Sequence, residues 1–164
     1  MNIESMSLNP FTKLAKDWGL VSAGNSEKSN TMTVGWGGVG VLWGMNVVYI
    51  FIRESRYTKE FIDNGDTFSL AFLPENLHSV HKFCGSKSGR DYADKWTEAG
   101  ITAAVKNGVV YPEEADLAFL CRKLAKIPMP EETFIDPSIM PKWYADHDMH
   151  VMYVGEIIDI IDKR

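Results

Sequence analysis

Two stretches of the chain gather cations, hydroxyls and glycines in a way that suits an anionic ligand. In Arg53-Glu54-Ser55-Arg56-Tyr57-Thr58 a run of β-forming residues ends at Arg53, and the pattern predicts a helix from about Arg56 to Asp63 with Ser55 as its N-cap. The free N–H groups at a helix start carry partial positive charge and favour an anion. Arg53 and Arg56 add full charges, and Ser55, Tyr57 and Thr58 add hydroxyl donors. Together they suit the phosphate of one small ligand. The plainer alternative is a pair of solvated arginines beside a serine that only caps. The second stretch, Gly85-Ser86-Lys87-Ser88-Gly89-Arg90-Asp91, leads to Lys95. Its spacing fails the G-x-x-x-x-G-K-[ST] pattern of a Walker loop, yet serines, glycines and two cations still suit a polar or anionic edge. A mobile loop with surface lysines is its plain alternative. Two such stretches in one small chain weigh more than either alone.

Other constellations carry less. Gly35-Trp36-Gly37-Gly38-Val39-Gly40 matches G-x-G-x-x-G, and Glu54 stands near the distance of a ribose-binding acid. A dinucleotide fold needs a crossover helix after the glycines, and only Val41 to Met45 separates them from the next strand. The stretch therefore reads as a tight, glycine-permitted bend. His78 and His81 stand at i and i+3 on a helix, but no third metal ligand is evident, so they read as one exposed and one half-buried histidine. Asp146-His147-Asp148-His150 reads as a charged turn, with Trp143 and Tyr144 equally suited to packing or to touching a ligand. Cys84 falls on an apolar helix face and reads as core, and Cys121, within an expected strand, reads as buried.

The elements that must position these residues are mostly strands. Trp18–Ala23, Thr31–Trp36, Val47–Ile52, Thr67–Leu73, Val109–Tyr111, Ala115–Ile127 and Val151–Ile161 are rich in β-formers and bounded by turn residues. Val47–Ile52 is apolar on both faces and predicts cover on both sides. Short helices are expected at Arg56–Asp63, Glu75–Cys84 and Asp91–Glu98, the last with Tyr92, Ala93 and Trp96 inward. Pro128 to Pro141 reads as a proline-punctuated connection. The pattern is mainly β with short helices, as in a small barrel with helical insertions.

A length of 164 residues suits one domain, 1–164, large enough for a stable core. The net charge of −5 repels phosphate backbones and argues against nucleic acid as a partner. Nothing approaches the ~18 apolar residues that cross a bilayer, so no membrane role is expected. Met1 to Lys16 lacks the apolar core of a signal peptide, and two cysteines without CxxC spacing give neither a disulfide framework nor a zinc knuckle. The expected location is cytoplasmic.

The ordered set Asn30-Thr31-Met32-Thr33-Val34-Gly35-Trp36, Arg53-Glu54-Ser55-Arg56-Tyr57-Thr58 and Ser88-Gly89-Arg90-Asp91 with Asp94-Lys95 resembles the flavin reductase-like FMN-binding split-barrel family. The ending His150 to Ile157 is similar to that family's final barrel strand, and the likeness runs from about Leu20 to Ile161. The resemblance implies an FMN-binding split β-barrel that works as a homodimer with FMN near the interface. It implies that Asn30, Thr31, Met32 and Thr33 lie along the flavin ring with Trp36 close by. Arg53, Ser55, Tyr57 and Thr58 would serve the phosphate and ribityl side, and Ser88, Gly89, Arg90 and Lys95 would complete the pocket. The implied activity is an NAD(P)H:flavin reductase or a flavoredoxin-like carrier supplied by a redox protein. The alternative is a non-catalytic FMN-binding or sensing module. The bare glycine stretch Gly35–Gly44 and the segment Met129–His147 depart from the pattern, which leaves electron donor and acceptor open.

Overall fold

The computed structural model describes residues 3–164. After a helical turn, α1 (Pro10–Thr12), the chain runs β1 (Gly19–Gly24), β2 (Ser29–Val34), β3 (Gly37–Leu42), β4 (Met45–Arg53), α2 (Tyr57–Asn64) and β5 (Thr67–Phe72). There follow α3 (His78–Ser86), α4 (Lys95–Ala99), β6 (Ala103–Lys106), β7 (Val109–Pro112), β8 (Leu117–Pro128), α5 (Ile139–Trp143) and β9 (His150–Asp162). Seven strands form one antiparallel sheet in the order β2-β1-β5-β8-β9-β4-β3, and β6 and β7 pair as a separate hairpin. Although β2 and β3 are neighbours in sequence, they are the two edges of this sheet. The sheet is a split barrel, not closed by hydrogen bonds across that seam.

Period-two alternation divides the apolar residues between two cores. Val21, Leu70, Phe119 and Tyr153 join Val48, Ile50, Ile52 and Phe68 in the larger cluster. Their neighbours Leu20, Ala71, Ala118 and Leu120 turn the other way and pack beneath Val80 and Cys84 of α3, Trp96 of α4, and Val109 and Val110 of β7. The long strands β8 and β9 stay paired through register shifts at Leu120/Cys121 and Lys123/Ala125. Gly155 of β9 lies against the core there. A Cβ on it would sit 2.6 Å from two ring carbons of Phe68 and 2.8 Å from Cβ of Cys121. We expect Gly155→Ala to cost about 2–3 kcal/mol through overpacking, read as a lower urea midpoint with the slope unchanged. An unchanged midpoint would show that the ring yields freely.

Several sequence expectations need correction. The glycine-rich stretch is not simply a bend: Gly37–Leu42 is strand β3, and the turn falls at Trp43-Gly44, both with positive φ. Residues with little or no side chain gave no β signal, yet hydrogen bonding to β4 makes the strand. Only one face of β4 is sealed, because Tyr49 and Phe51 remain half-exposed opposite the buried Val48, Ile50 and Ile52. Ser55 does not cap α2. Arg56 holds the cap position without a side-chain bond, while Ser55 is taken by Asp148, to whose carboxylate it donates both its N–H (3.0 Å) and its hydroxyl (2.6 Å). The expected helix at Asp91 begins only at Lys95, where the Asp94 carboxylate accepts from Thr97 N–H. That leaves Tyr92 half-buried and Ala93 exposed. Strand β6 and helix α5 had no clear signal, the latter lying in the proline-punctuated connection.

Candidate functional site

The end of β4, the start of α2 and the C-terminal end of α3 meet beside the edge strand β2. They enclose two adjoining hollows. The narrow one, about 150 Å³, is a basic recess lined by Asn30, Tyr57, Thr58, Cys84, Lys87, Ser88, Gly89, Arg90 and Lys95. The wider, about 410 Å³, is a cleft walled by Thr33, Trp36, Phe51, Arg53, Trp143, Asp148 and His150. Met32, Ser55 and Arg56 line both, so the two are continuous.

The recess holds four cations against little negative charge. Lys95 is 4 % exposed, yet its ammonium has one protein partner, the carbonyl of Cys84 at 3.1 Å. Arg56 donates to the carbonyl of Gly85 at 2.7 Å. Both acceptors are at the C-terminal end of α3, where helix carbonyls concentrate partial negative charge. Carbonyl partners do not neutralise a buried cation. Desolvation, together with the nearby Arg56 charge, pulls Lys95 down to about 8. Arg56 is likewise lowered, first by burial and then by Arg53, with Asp148 opposing. A buried cation with spare donors is what an anion relieves. Asn30 Nδ2 donates to Thr58 Oγ1 (2.9 Å), which leaves the threonine hydroxyl its own proton to give. Gly89 is packed so close that a Cβ would lie 2.4 Å from Asn30 Oδ1, so any side chain there would fill the recess. Burial pushes the Cys84 thiol up to about 11 despite Lys95, so it is no nucleophile here.

The wide cleft is largely aromatic, with Trp36, Phe51, Trp143 and His150 among its walls. Trp36 meets Trp143 edge-on at 5.2 Å and His150 at 5.0 Å. Desolvation, with Arg53 and Arg56 adding to it, lowers His150 to about 4, so its ring is neutral at pH 7. Nδ1 of His150 lies 2.8 Å from the Tyr144 hydroxyl. Arg53 ties this wall together. Its guanidinium donates to Trp143 O (2.8 Å), to Asp148 O (2.9 Å) and to the Asp146 carboxylate (3.2 Å).

Of the thirteen residues singled out in the sequence, Asn30, Met32, Ser55, Tyr57, Thr58, Ser88, Gly89, Arg90 and Lys95 line the recess, and Met32, Thr33, Trp36, Arg53 and Ser55 the cleft. Arg53 lines the cleft and not the recess, although its charge reaches Arg56, which lines both. Thr31 lines neither hollow: its hydroxyl faces Val21 O and accepts from Ser22. Arg56 and Lys87 belong to the two basic stretches but were absent from the residues the resemblance singled out. Phe51, Asp148 and His150 also line the cleft. His150 pairs in register with Arg53, and that pairing is what converts an apparent charged turn into a cleft wall. Among the described residues no group of three or more His, Cys, Asp or Glu could hold a metal ion.

A split barrel with this cleft defines a class, and sequence comparison agrees with it: the chain belongs to the flavin reductase like domain family, whose model matches residues 11–163. Its fold is similar to that of flavoredoxin from Methanosarcina acetivorans, with TM-score 0.70 at 20% identity over 89% of this chain and 68% of that one. An FMN-binding protein from Thermus thermophilus, solved with bound 1-cyclohex-2-enone, gives 0.69 at 18% identity over 99% and 80%. An NADH:FAD oxidoreductase from Streptomyces globisporus C-1027, in complex with NAD and FAD fragments, gives 0.66 at 14% over 89% and 74%. No curated protein matches the sequence. Among the described residues no helix is long and apolar enough to cross a membrane.

Proposed function

We propose that this chain, read as one domain over residues 1–164, is an FMN-dependent oxidoreductase, working as an NAD(P)H:flavin reductase or a flavoredoxin-like electron carrier. The observation that carries this reading is the pairing of a recess holding the under-compensated cations Lys95 and Arg56 with an adjoining aromatic cleft. The residues fit FMN. Arg56, Lys87, Arg90, Lys95 and the Thr58 hydroxyl would hold its phosphate, and Met32, Thr33 and Trp36 would flank its ring. When bound, the flavin supplies the redox chemistry, taking hydride and releasing electrons one or two at a time.

The protein's part is binding, orientation and exclusion of water. Trp36 and Trp143 cover the cleft with apolar surface, and Arg53 holds Trp143 in place through its carbonyl. Neutral His150, fixed against Tyr144, offers the cleft a hydrogen-bonding group that adds no charge. A homodimer is supported by the exposed Val41, Leu42 and Trp43 on the β3–β4 hairpin, apolar surface that a second copy would cover. Two free, buried thiols accord with a cytoplasmic location.

The test is the visible spectrum of the protein after incubation with FMN and gel filtration, followed by assay of NADH and NADPH oxidation. We expect a retained flavin band and turnover with at least one nicotinamide. A band without turnover using either nicotinamide or a reduced redox protein would favour the binding or sensing module. A colourless protein that also shows no nicotinamide oxidation with added flavin would remove the reading altogether.

A further inference from the structure

Lys95 is a buried amine in surroundings that disfavour its charge. We propose that the basic recess is also an acylation site, where a short-chain acyl phosphate seats its phosphate among Arg56, Lys87 and Arg90 and passes its acyl group to Lys95 Nζ. The proposal shares one premise with the flavin reading, that this recess accepts a phosphate.

The nucleophile comes first. Lys95 Nζ has one protein partner, the carbonyl of Cys84 at 3.1 Å. The nearby carboxylates are engaged elsewhere: Asp94 accepts from Thr97 N–H, Glu60 pairs with Arg90, and Asp148 accepts from Ser55. Burial lowers Lys95 to about 8, with the Cys84 thiol opposing and Arg56 adding to the fall. Near pH 8 about half of the chains therefore hold a neutral amine there, against about 1 in 250 for an ordinary lysine. One N–H given to the Cys84 carbonyl leaves the nitrogen lone pair free. The Cys84 thiol, pushed up to about 11, does not compete.

The cations around the amine select the donor. Arg56 gives one N–H to Gly85 O at 2.7 Å and keeps others for a ligand. Guanidinium groups hold their charge well above pH 8, so the anchor persists where Lys95 has lost its proton. A phosphate fixed there brings its acyl carbon to the amine and replaces a bimolecular encounter with a positioned one. The lone pair of Nζ attacks the acyl carbon and forms an amide C–N bond. The C–O bond to phosphate breaks, and hydrogen phosphate leaves with that electron pair and one amine proton. The product side chain is neutral and fills part of a recess of about 150 Å³, so a flavin phosphate loses both a cation and its space. Bound FMN, in turn, covers the amine.

The experiment incubates the flavin-free full chain with acetyl phosphate from pH 7 to 10. Acetylated sites are quantified by peptide mass spectrometry, and FMN retention is read on the same samples from the visible spectrum. At pH 8 Lys95 should react at least about tenfold faster than the exposed Lys82 and Lys142. Its rate should level off above pH 8 while theirs climbs to pH 10. Saturating FMN or inorganic phosphate should slow Lys95 at least about tenfold and leave the exposed lysines unchanged. N-acetylimidazole, which carries the same acyl group without phosphate, should show little of this preference. Arg90→Met, at an exposed position, should slow Lys95 with acetyl phosphate and not with N-acetylimidazole. Lys95 reacting no faster than Lys82, equal preference with both donors, or a label that favours Cys84 or Lys87 would overturn the proposal, and retained FMN in those samples would leave the flavin reading standing. Phosphate-protected acetylation of Lys95 without any FMN retention would uphold the proposal and sink the flavin reading. Failure of both phosphate and FMN to protect, with no flavin retained, would end both.

Discussion

Lys95→Met is expected to weaken FMN binding by about 10- to 100-fold while leaving the apoprotein as stable as before or more so. The opposite signs follow from one fact. The ammonium is buried with a single carbonyl partner, so it costs the empty protein free energy that a bound phosphate returns. Charge-assisted hydrogen bonds contribute about 1.5–3 kcal/mol each, which sets the range. Methionine keeps most of the length and removes the charge.

The same residue fixes a pH dependence. Lys95 titrates at about 8 when folded, below its ordinary 10.5. Below pH 8 both folded and unfolded chains carry the proton. Between 8 and 10.5 the unfolded chain binds more protons, so apoprotein stability rises with pH across that window. Flavin affinity moves the other way, because the phosphate favours the charged ammonium, and it should fall by up to about tenfold per pH unit above 8. Both slopes should vanish in Lys95→Met. Calorimetric melting and flavin titration from pH 7 to 10 read both, and a pH-independent affinity in the wild type would place the phosphate elsewhere.

The second large effect is expected at Arg53. Arg53→Ala removes the donor to Trp143 O, Asp148 O and the Asp146 carboxylate, along with the cation that lies 5.4 Å over the Tyr144 ring. A loss of about 2–3 kcal/mol is expected from bonds of this type in a partly screened setting. The damage should be local. Amides of residues 143–149 should exchange faster, and flavin affinity should fall because the Trp143 wall is no longer held. His150 should titrate higher than about 4, since Arg53 adds to the burial that lowers it. Arg53→Lys should not rescue, because one ammonium cannot span three acceptors as a planar fork does. Unchanged exchange at 143–149 in Arg53→Ala would refute this role.

Most of the sheet was legible from sequence because β1, β2, β4, β5, β8 and β9 carry β-branched and aromatic residues between turn signals. What escaped is made by tertiary partners. Gly37–Leu42 has few side chains with a preference, and only pairing with β4 makes it a strand. Ser55 precedes a helix as a cap should, but a carboxylate ninety-three residues away claims it. The two basic stretches were visible as such. Their convergence on α3 carbonyls was not, since Lys95 was expected on a longer helix and nothing local shows that its ammonium is buried. Thr31 shows the converse: its motif position pointed to the ligand, while strand alternation turns its hydroxyl inward.

The unzipped seam between β2 and β3 has a consequence for how such a cleft tolerates mutation. A rim strand with no neighbour on its outer side keeps peptide groups available to a heterocycle, and every residue except proline supplies the same groups. Recognition by peptide units would let the half-buried Thr33 side chain change over evolutionary time without loss of the guest, while the buried Thr31, Met32 and Val34 stay fixed by packing. Insertions that shift the frame by one residue, or a proline, would be the changes that selection removes.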